Sequence, residues 1–139
     1  MTTINRAIPP EILPIEPFSL MKPRQETLSN GIPAFYFDNP NLDLIHILLQ
    51  VKTGSMYQTK KHVCNFTYSL LKESSPNLTA EEVSEKLDYY GTNFTVNVGL
   101  DNVQLLISVP KDKMSDILPV VAAFTITPKF RETSLDRKS

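Results

Sequence analysis

Thr79-Ala80-Glu81-Glu82-Val83-Ser84-Glu85-Lys86-Leu87-Asp88-Tyr89-Tyr90-Gly91 is followed directly by Thr92-Asn93-Phe94-Thr95-Val96-Asn97-Val98, and the period of the apolar residues changes between the two runs. The first run predicts a helix. Thr79 stands as N-cap with Glu82 three residues on, a capping box in which each side chain takes up an orphan backbone donor of the other residue. Val83 and Leu87 share one face, and Gly91 supplies the C′ residue that ends the helix. From Asn93 the alternation is strict, with Phe94, Val96 and Val98 on one face of a strand and Asn93, Thr95 and Asn97 on the other. The turn Gly99-Leu100-Asp101-Asn102 leads to a partner strand, Val103 to Val109, which makes an antiparallel hairpin.

Upstream, His62 to Ser74 has helical period. Val63, Phe66 and Leu70 form one stripe, and Cys64, Thr67, Tyr68 and Leu71 form the adjacent one at i, i+3, i+4, i+7. Ser75-Pro76-Asn77-Leu78 stops that helix. Before it, Leu42 to Val51 is a mostly apolar run that predicts a strand covered on both faces, with His46 as a packed or edge histidine. Lys52-Thr53-Gly54-Ser55 ends the strand at a glycine, and a polar loop runs on to Lys61. Earlier still, Gln25 to Phe37 holds two strand-like runs around Asn30-Gly31, the pair favoured in a type I′ hairpin turn. Downstream, Lys111 to Phe124 predicts a third helix, which Pro119 must kink or divide. Thr127-Pro128 breaks it, and Glu132 to Ser139 opens another helix. Two hairpins interleaved with helices give an α+β fold, an antiparallel β-sheet with helices packed on one face.

Proline is the unusual count, 11 against 4 glycines, and Pro9, Pro10, Pro14, Pro17 and Pro23 all precede the first strand. Residues 1–24 therefore read as a proline-rich extended arm and 25–139 as the α+β domain. Fourteen basic and 15 acidic residues leave a net charge of -1, which gives no electrostatic case for nucleic acid. The single Cys64 excludes an intrachain disulfide. The longest apolar stretch, Ile117 to Phe124, is far short of the roughly 20 residues that span a bilayer. With no apolar h-region behind Met1 to Arg6, the chain as written reads as cytoplasmic. Asn65, Asn77 and Asn93 head Asn-x-Thr sequons, which matter only in a eukaryotic secretory setting.

Catalytic constellations are scarce. The sequence has no glycine-rich phosphate loop, no Gly-x-Ser-x-Gly elbow and 2 histidines. His62 and Cys64, with Thr67 and Tyr68 nearby, are the one cluster that could bind metal or form a Cys-His pair, but two soft ligands without a third make a poor zinc site. Cys64 reads better as a small packing residue. Lys60-Lys61-His62 reads as solvated loop and Tyr89-Tyr90 as packing at a helix end.

The order of these elements carries a resemblance. Leu28-x-Asn30-Gly31-Ile32, Val51-x-x-Gly54-Ser55, a helix closing on Leu70-Leu71-Lys72, Thr79-Ala80-Glu81-Glu82 with Leu87 and Gly91, the hairpin, and Pro128-x-Phe130 together resemble the N-terminal domain of the pitrilysin/insulinase (inverzincin) zinc peptidases, which include the mitochondrial processing peptidase. In that family a His-x-x-Glu-His signature on the first helix holds zinc through its histidines, and its glutamate serves as general base. Anchored on Leu70-Leu71-Lys72, the three positions here are Cys64, Thr67 and Tyr68. The resemblance thus implies a degenerate site with no catalytic residue, no metal ligand set and no cofactor. Thr67 cannot deprotonate water near neutral pH, and Tyr68, with a reference pKa of about 10, is a reluctant ligand. The family's third ligand, a glutamate, would fall just past Ser139.

What the resemblance implies is a non-catalytic subunit or fragment that contributes peptide-binding or structural surface to an active zinc peptidase partner. Bacterial two-subunit versions carry such a pair, and an export signal removed ahead of Met1 would make the protein periplasmic. A family domain is about 200 residues long, so these 139 read as its front portion. An incomplete sheet leaves an open edge, which predicts self-association. Two alternatives stand beside this reading: a hydrolase with a remodelled metal site at His62 and Cys64, and an unrelated α+β interaction module.

Overall fold

The computed structural model describes residues 13–15, 17–132 and 134. The helix expected over Glu132 to Ser139 therefore lies almost wholly outside the described residues, and the arm is described only from Leu13. The chain divides into two compact units, Met1–Asn39 and Pro40–Ser139.

In the first unit, β1 (Arg24–Thr27) pairs antiparallel with β2 (Pro33–Tyr36). The hairpin forms as the sequence predicts, but its turn is of another type. Type I′ needs positive φ at both central residues, and here only Gly31 has it, at 85°. The Gly31 N–H donates to the Leu28 carbonyl (2.8 Å) and the Leu28 N–H to the Ile32 carbonyl (2.9 Å). This is the three-residue loop in which a left-handed glycine forms a bulge after a tight turn. Asn30 contributes through its side chain, whose Oδ1 accepts the Ile32 N–H at 3.2 Å.

The second unit is built on a three-stranded antiparallel sheet. Its strands are β3 (Leu44–Val51), β4 (Asn93–Val98) and β5 (Val103–Pro110), in the order β3-β5-β4. Ile107 of β5 sits opposite Ile47 of β3 and Phe94 of β4, which fixes the register. On the inner face, β5 places Val103, Leu105, Ile107 and Val109 in the core. The alternation read from Phe94, Val96 and Val98 holds, with Phe94 buried and the two valines half-buried. β3 departs from expectation. On the outer face Leu44 and Leu48 are 47% and 56% exposed, so the strand is covered on one face only, and there incompletely, since the inner-facing Leu49 is 41% exposed. Its apolar run reflects leucines on the outer face as well as the inner-facing Ile45 and Ile47.

Three helices cover the inner face: α1 (Val63–Ser69), α2 (Ala80–Tyr89) and α3 (Met114–Ile126). Both expected ends of α2 are present. The Glu82 N–H donates to Thr79 Oγ1 at 3.2 Å, and the Thr79 N–H donates to Glu82 Oε2 at 2.7 Å. At the other end Gly91, with φ 60°, donates its N–H to the Asp88 carbonyl, and Thr92 donates to Leu87. That pair of bonds is the Schellman motif, and together with the cap it satisfies orphan groups at both ends of the helix. Val83 and Leu87 are buried as predicted, each contributing about 1.5–3 kcal/mol.

The helix predicted over His62 to Ser74 is shorter and divided. α1 ends at Ser69, and a 3-10 turn follows over Leu71–Glu73. Ser74 explains the change: its Oγ donates to the Leu71 carbonyl (2.6 Å) and to the Phe124 carbonyl (3.3 Å), while Pro76 disfavours helical backbone at Ser75. The tighter winding lets the neighbours Leu70 and Leu71 both be buried. α3 is a single helix through Pro119, preceded by a 3-10 turn at Lys111–Lys113. Pro119 is exposed, so the ring and the carbonyl it leaves unpaired lie on the solvent side. The inner side of α3 carries Ile117, Val121 and Phe124. Phe124 meets Phe94 edge-on, with ring centroids 5.0 Å apart.

Candidate functional site

α1 follows β3 through a loop that begins at Lys52 and contains a 3-10 turn at Ser55–Tyr57. This loop is held against the β4–β5 turn. The Ser55 N–H donates to the Gly99 carbonyl and the Met56 N–H to the Leu100 carbonyl, both at 2.9 Å. Such an approach requires Gly54, because a Cβ there would fall on backbone atoms of Leu100 and Asp101. The chain then enters α1 at His62, whose backbone is left-handed, with φ 68°. His62 makes no capping bond through its side chain. Gln58 serves instead, its Oε1 accepting the Cys64 N–H at 3.4 Å.

The stripe predicted on α1 faces inward. Cys64 and Leu71 are buried and Thr67 and Tyr68 half-buried, while Val63 and Phe66 of the other stripe are exposed. Two of these residues converge on Thr53, just past the end of β3. The Cys64 thiol donates to the Thr53 carbonyl at 3.2 Å, and the Tyr68 hydroxyl lies 2.6 Å from Thr53 Oγ1. Thr53 is the residue of this site that sequence reasoning missed; the only available cue was its neighbour Gly54.

His62 and Cys64 are not brought together. His62 lies with Asn65, Phe66 and Ser69 along an open depression on the outer side of α1, away from the Thr53 cluster. The donors on the inner face do not suit zinc, because the thiol is committed to a carbonyl and the phenol to a threonine hydroxyl. Among the described residues, no group of three or more His, Cys, Asp or Glu side chains could hold a metal ion.

Beside Tyr68 a cavity of about 230 Å³ opens between α1 and β4, lined by Tyr68, Ser69, Lys72, Phe94, Thr95 and Val96. β4 forms one edge of its sheet. The Gly99 N–H donates to the Asn102 carbonyl. By the alternation of an antiparallel ladder, Asn93, Thr95 and Asn97 therefore bond to β5, and the N–H and C=O groups of Phe94, Val96 and Val98 point outward. The site is thus a cavity of mixed lining bordered by a strand edge that no described strand pairs.

A first helix with this inward stripe, a capped second helix and a hairpin closing the sheet match one family model, that of Insulinase (Peptidase family M16), over residues 36–139. The chain belongs to the insulinase family. No curated protein matches it. Solved structures show the same fold at low identity. A peptidase M16 inactive domain from Pseudomonas fluorescens has a TM-score of 0.76 at 17% identity, over 84% of this chain. A protease from Helicobacter pylori has a TM-score of 0.71 at 19% identity, over 86% of this chain. A mutant of the ferredoxin protease FusC, in complex with Arabidopsis ferredoxin, has a TM-score of 0.73 at 16% identity, over 85% of this chain. This insulinase-family chain spans 29%, 29% and 14% of those three proteins. Among the described residues, no helix is long and apolar enough to cross a membrane.

Proposed function

We propose that this chain is a non-catalytic insulinase-family module that holds an extended polypeptide and serves an active zinc peptidase partner. The observation that carries the reading is the inner face of α1, where Cys64 and Tyr68 are tied to Thr53. On the resemblance, Cys64, Thr67 and Tyr68 stand at the signature positions, so the face lacks a general base for water and a ligand set for zinc. The name of the Pseudomonas fluorescens domain, an inactive one, supports the same reading. Residues 1–24 are proposed as an arm ahead of the module.

The mode of holding follows from the strand edge. An extended peptide added to β4 bonds to the outward groups of Phe94, Val96 and Val98 and sets its side chains beside the Tyr68 cavity. A ferredoxin protease of this fold in complex with its ferredoxin supports a polypeptide as the ligand.

The test measures cleavage of a quenched fluorescent peptide by the chain alone, by a family member carrying His-x-x-Glu-His, and by the two together. The chain alone should be inactive with or without zinc, and it should raise the rate of the active partner. Zinc-dependent cleavage by the chain alone, lost in Cys64→Ser, would instead establish the remodelled metal site. No effect on any active homologue would remove the partner role.

A further inference from the structure

The loop between β1 and β2 holds a chemically reactive pair. Among the asparagines of the sequence, Asn30 alone is followed by glycine; the others precede arginine, proline, leucine, phenylalanine or valine. The backbone nitrogen that follows an asparagine can attack that residue's side-chain carbonyl carbon and close a five-membered ring. A bulky next residue crowds the attacking nitrogen and proline has no N–H to lose, whereas glycine leaves the nitrogen open. Asn30 and Gly31 are both exposed, so water and base reach them. The Gly31 N–H is nevertheless engaged, donating to the Leu28 carbonyl at 2.8 Å. The Asn30–Gly31 peptide plane must turn out of that bond before its nitrogen can face the side chain.

We propose that Asn30 is a site of non-enzymatic deamidation, gated by the opening of the Gly31–Leu28 hydrogen bond, and that its isoaspartate product loses the bulged loop. The Gly31 nitrogen gives its proton to solvent base and bonds to Asn30 Cγ, while the Cγ–Nδ2 bond breaks and ammonia leaves. Water then opens the imide. Addition at Cγ gives aspartate, and addition at the main-chain carbonyl carbon gives isoaspartate, with the chain rerouted through the side chain. The net change is water taken up and ammonia released, with no redox step. Either product adds a carboxylate to a chain whose net charge is -1.

The two products part at the loop. Aspartate keeps an oxygen where Asn30 Oδ1 accepts the Ile32 N–H at 3.2 Å, and its charge strengthens that bond. Isoaspartate lengthens the main chain by an atom inside the loop, so the Gly31–Leu28 and Leu28–Ile32 bonds cannot both close. Deamidation therefore divides the molecules into a set with the hairpin loop intact and a set with it opened.

The experiment incubates the full chain in mildly alkaline buffer beside a peptide of residues 26–34 and maps the products by mass spectrometry, with isoaspartate counted by an isoaspartate methyltransferase. Asn30 should react ahead of every other asparagine, at a rate proportional to hydroxide. It should react about fivefold more slowly than in the peptide, the factor that one net backbone hydrogen bond supplies. Asn30→Gln, which needs a larger ring, should stay unreacted over the same time, and Asn30→Asp should elute with the aspartate product on ion exchange. In hydrogen exchange, the Leu28 and Gly31 amides should be protected in the aspartate form and unprotected in the isoaspartate form. No conversion at Asn30, conversion as fast in the chain as in the peptide, or equal amide protection in the two products each overturns the proposal.

Discussion

Gly54→Ala tests the joint between the site loop and the sheet. Gly54 has ordinary backbone angles, φ -77° and ψ 177°, so alanine costs nothing in backbone strain and the effect is one of space. Its Cβ would approach the Leu100 carbonyl and the Asp101 nitrogen well inside the 3.0 Å that real Cβ atoms keep. Both neighbours are backbone, so relief requires the loop and the β4–β5 turn to separate. That separation breaks the Ser55–Gly99 and Met56–Leu100 bonds. Two backbone bonds at about 1 kcal/mol each and an overpacking cost of about 1–3 kcal/mol give a loss of roughly 3–5 kcal/mol. With a urea m-value of about 1.5 kcal/mol/M, the midpoint falls by roughly 2–3 M. Thr53 is adjacent, so its bonds to Cys64 and Tyr68 loosen, and Cys64 should react faster with a thiol reagent in the folded state. A midpoint within about 0.3 M of the unaltered protein, at unchanged m-value, would refute the close-approach argument.

Phe124→Ala empties a fully buried position against Phe94 and should cost about 3–5 kcal/mol in urea unfolding. Thr79→Ala removes the N-cap of α2 and should cost about 1 kcal/mol by the same measurement. Backbone and side-chain hydrogen bonds with Thr79 hold the Glu82 carboxyl below its ordinary value. A lowered folded-state pKa means that its contribution is present above the unfolded pKa and is lost as pH falls through the folded one. Glu82→Gln should therefore flatten the acid limb of a stability–pH profile while leaving its alkaline limb unchanged. Tyr68→Phe removes the hydroxyl from Thr53 and should lower stability by about 0.5–1.5 kcal/mol in urea unfolding.

Residues with short-range, two-way signals were legible in the sequence. The Thr79–Glu82 box, the Gly91 stop and the alternation of β4 each state a local geometry that the core then uses. The inward stripe of α1 was legible for the same reason, since spacing alone puts Cys64, Thr67, Tyr68 and Leu71 on one face. What escaped depends on partners distant in sequence. α1 ends early because Ser74 bonds to the Phe124 carbonyl, which no local pattern encodes. The apolar run of β3 overstates its coverage, because such a run reports composition and not which neighbour lies above it. The Asn30-Gly31 pair signals a turn, but the flanking Leu28–Ile32 bond selects a bulged loop. At the site, Thr53 was invisible because its role depends on Gly54 meeting a turn made much later in the chain.

The strand order β3-β5-β4 also sets a timetable for synthesis. β3 bonds only to β5 among the described strands, and β5 begins at Val103, about fifty residues after β3 ends at Val51. At roughly 5–20 residues per second on the ribosome, β3 waits about 3–10 s without its partner. During that interval its isoleucines and leucines are exposed, and the backbone groups that the central strand β5 would pair are open because that strand does not yet exist. The nascent chain thus carries a largely apolar octapeptide without its partner strand for about fifty residues of synthesis, which makes β3 the stretch expected to be most prone to aggregate in that interval.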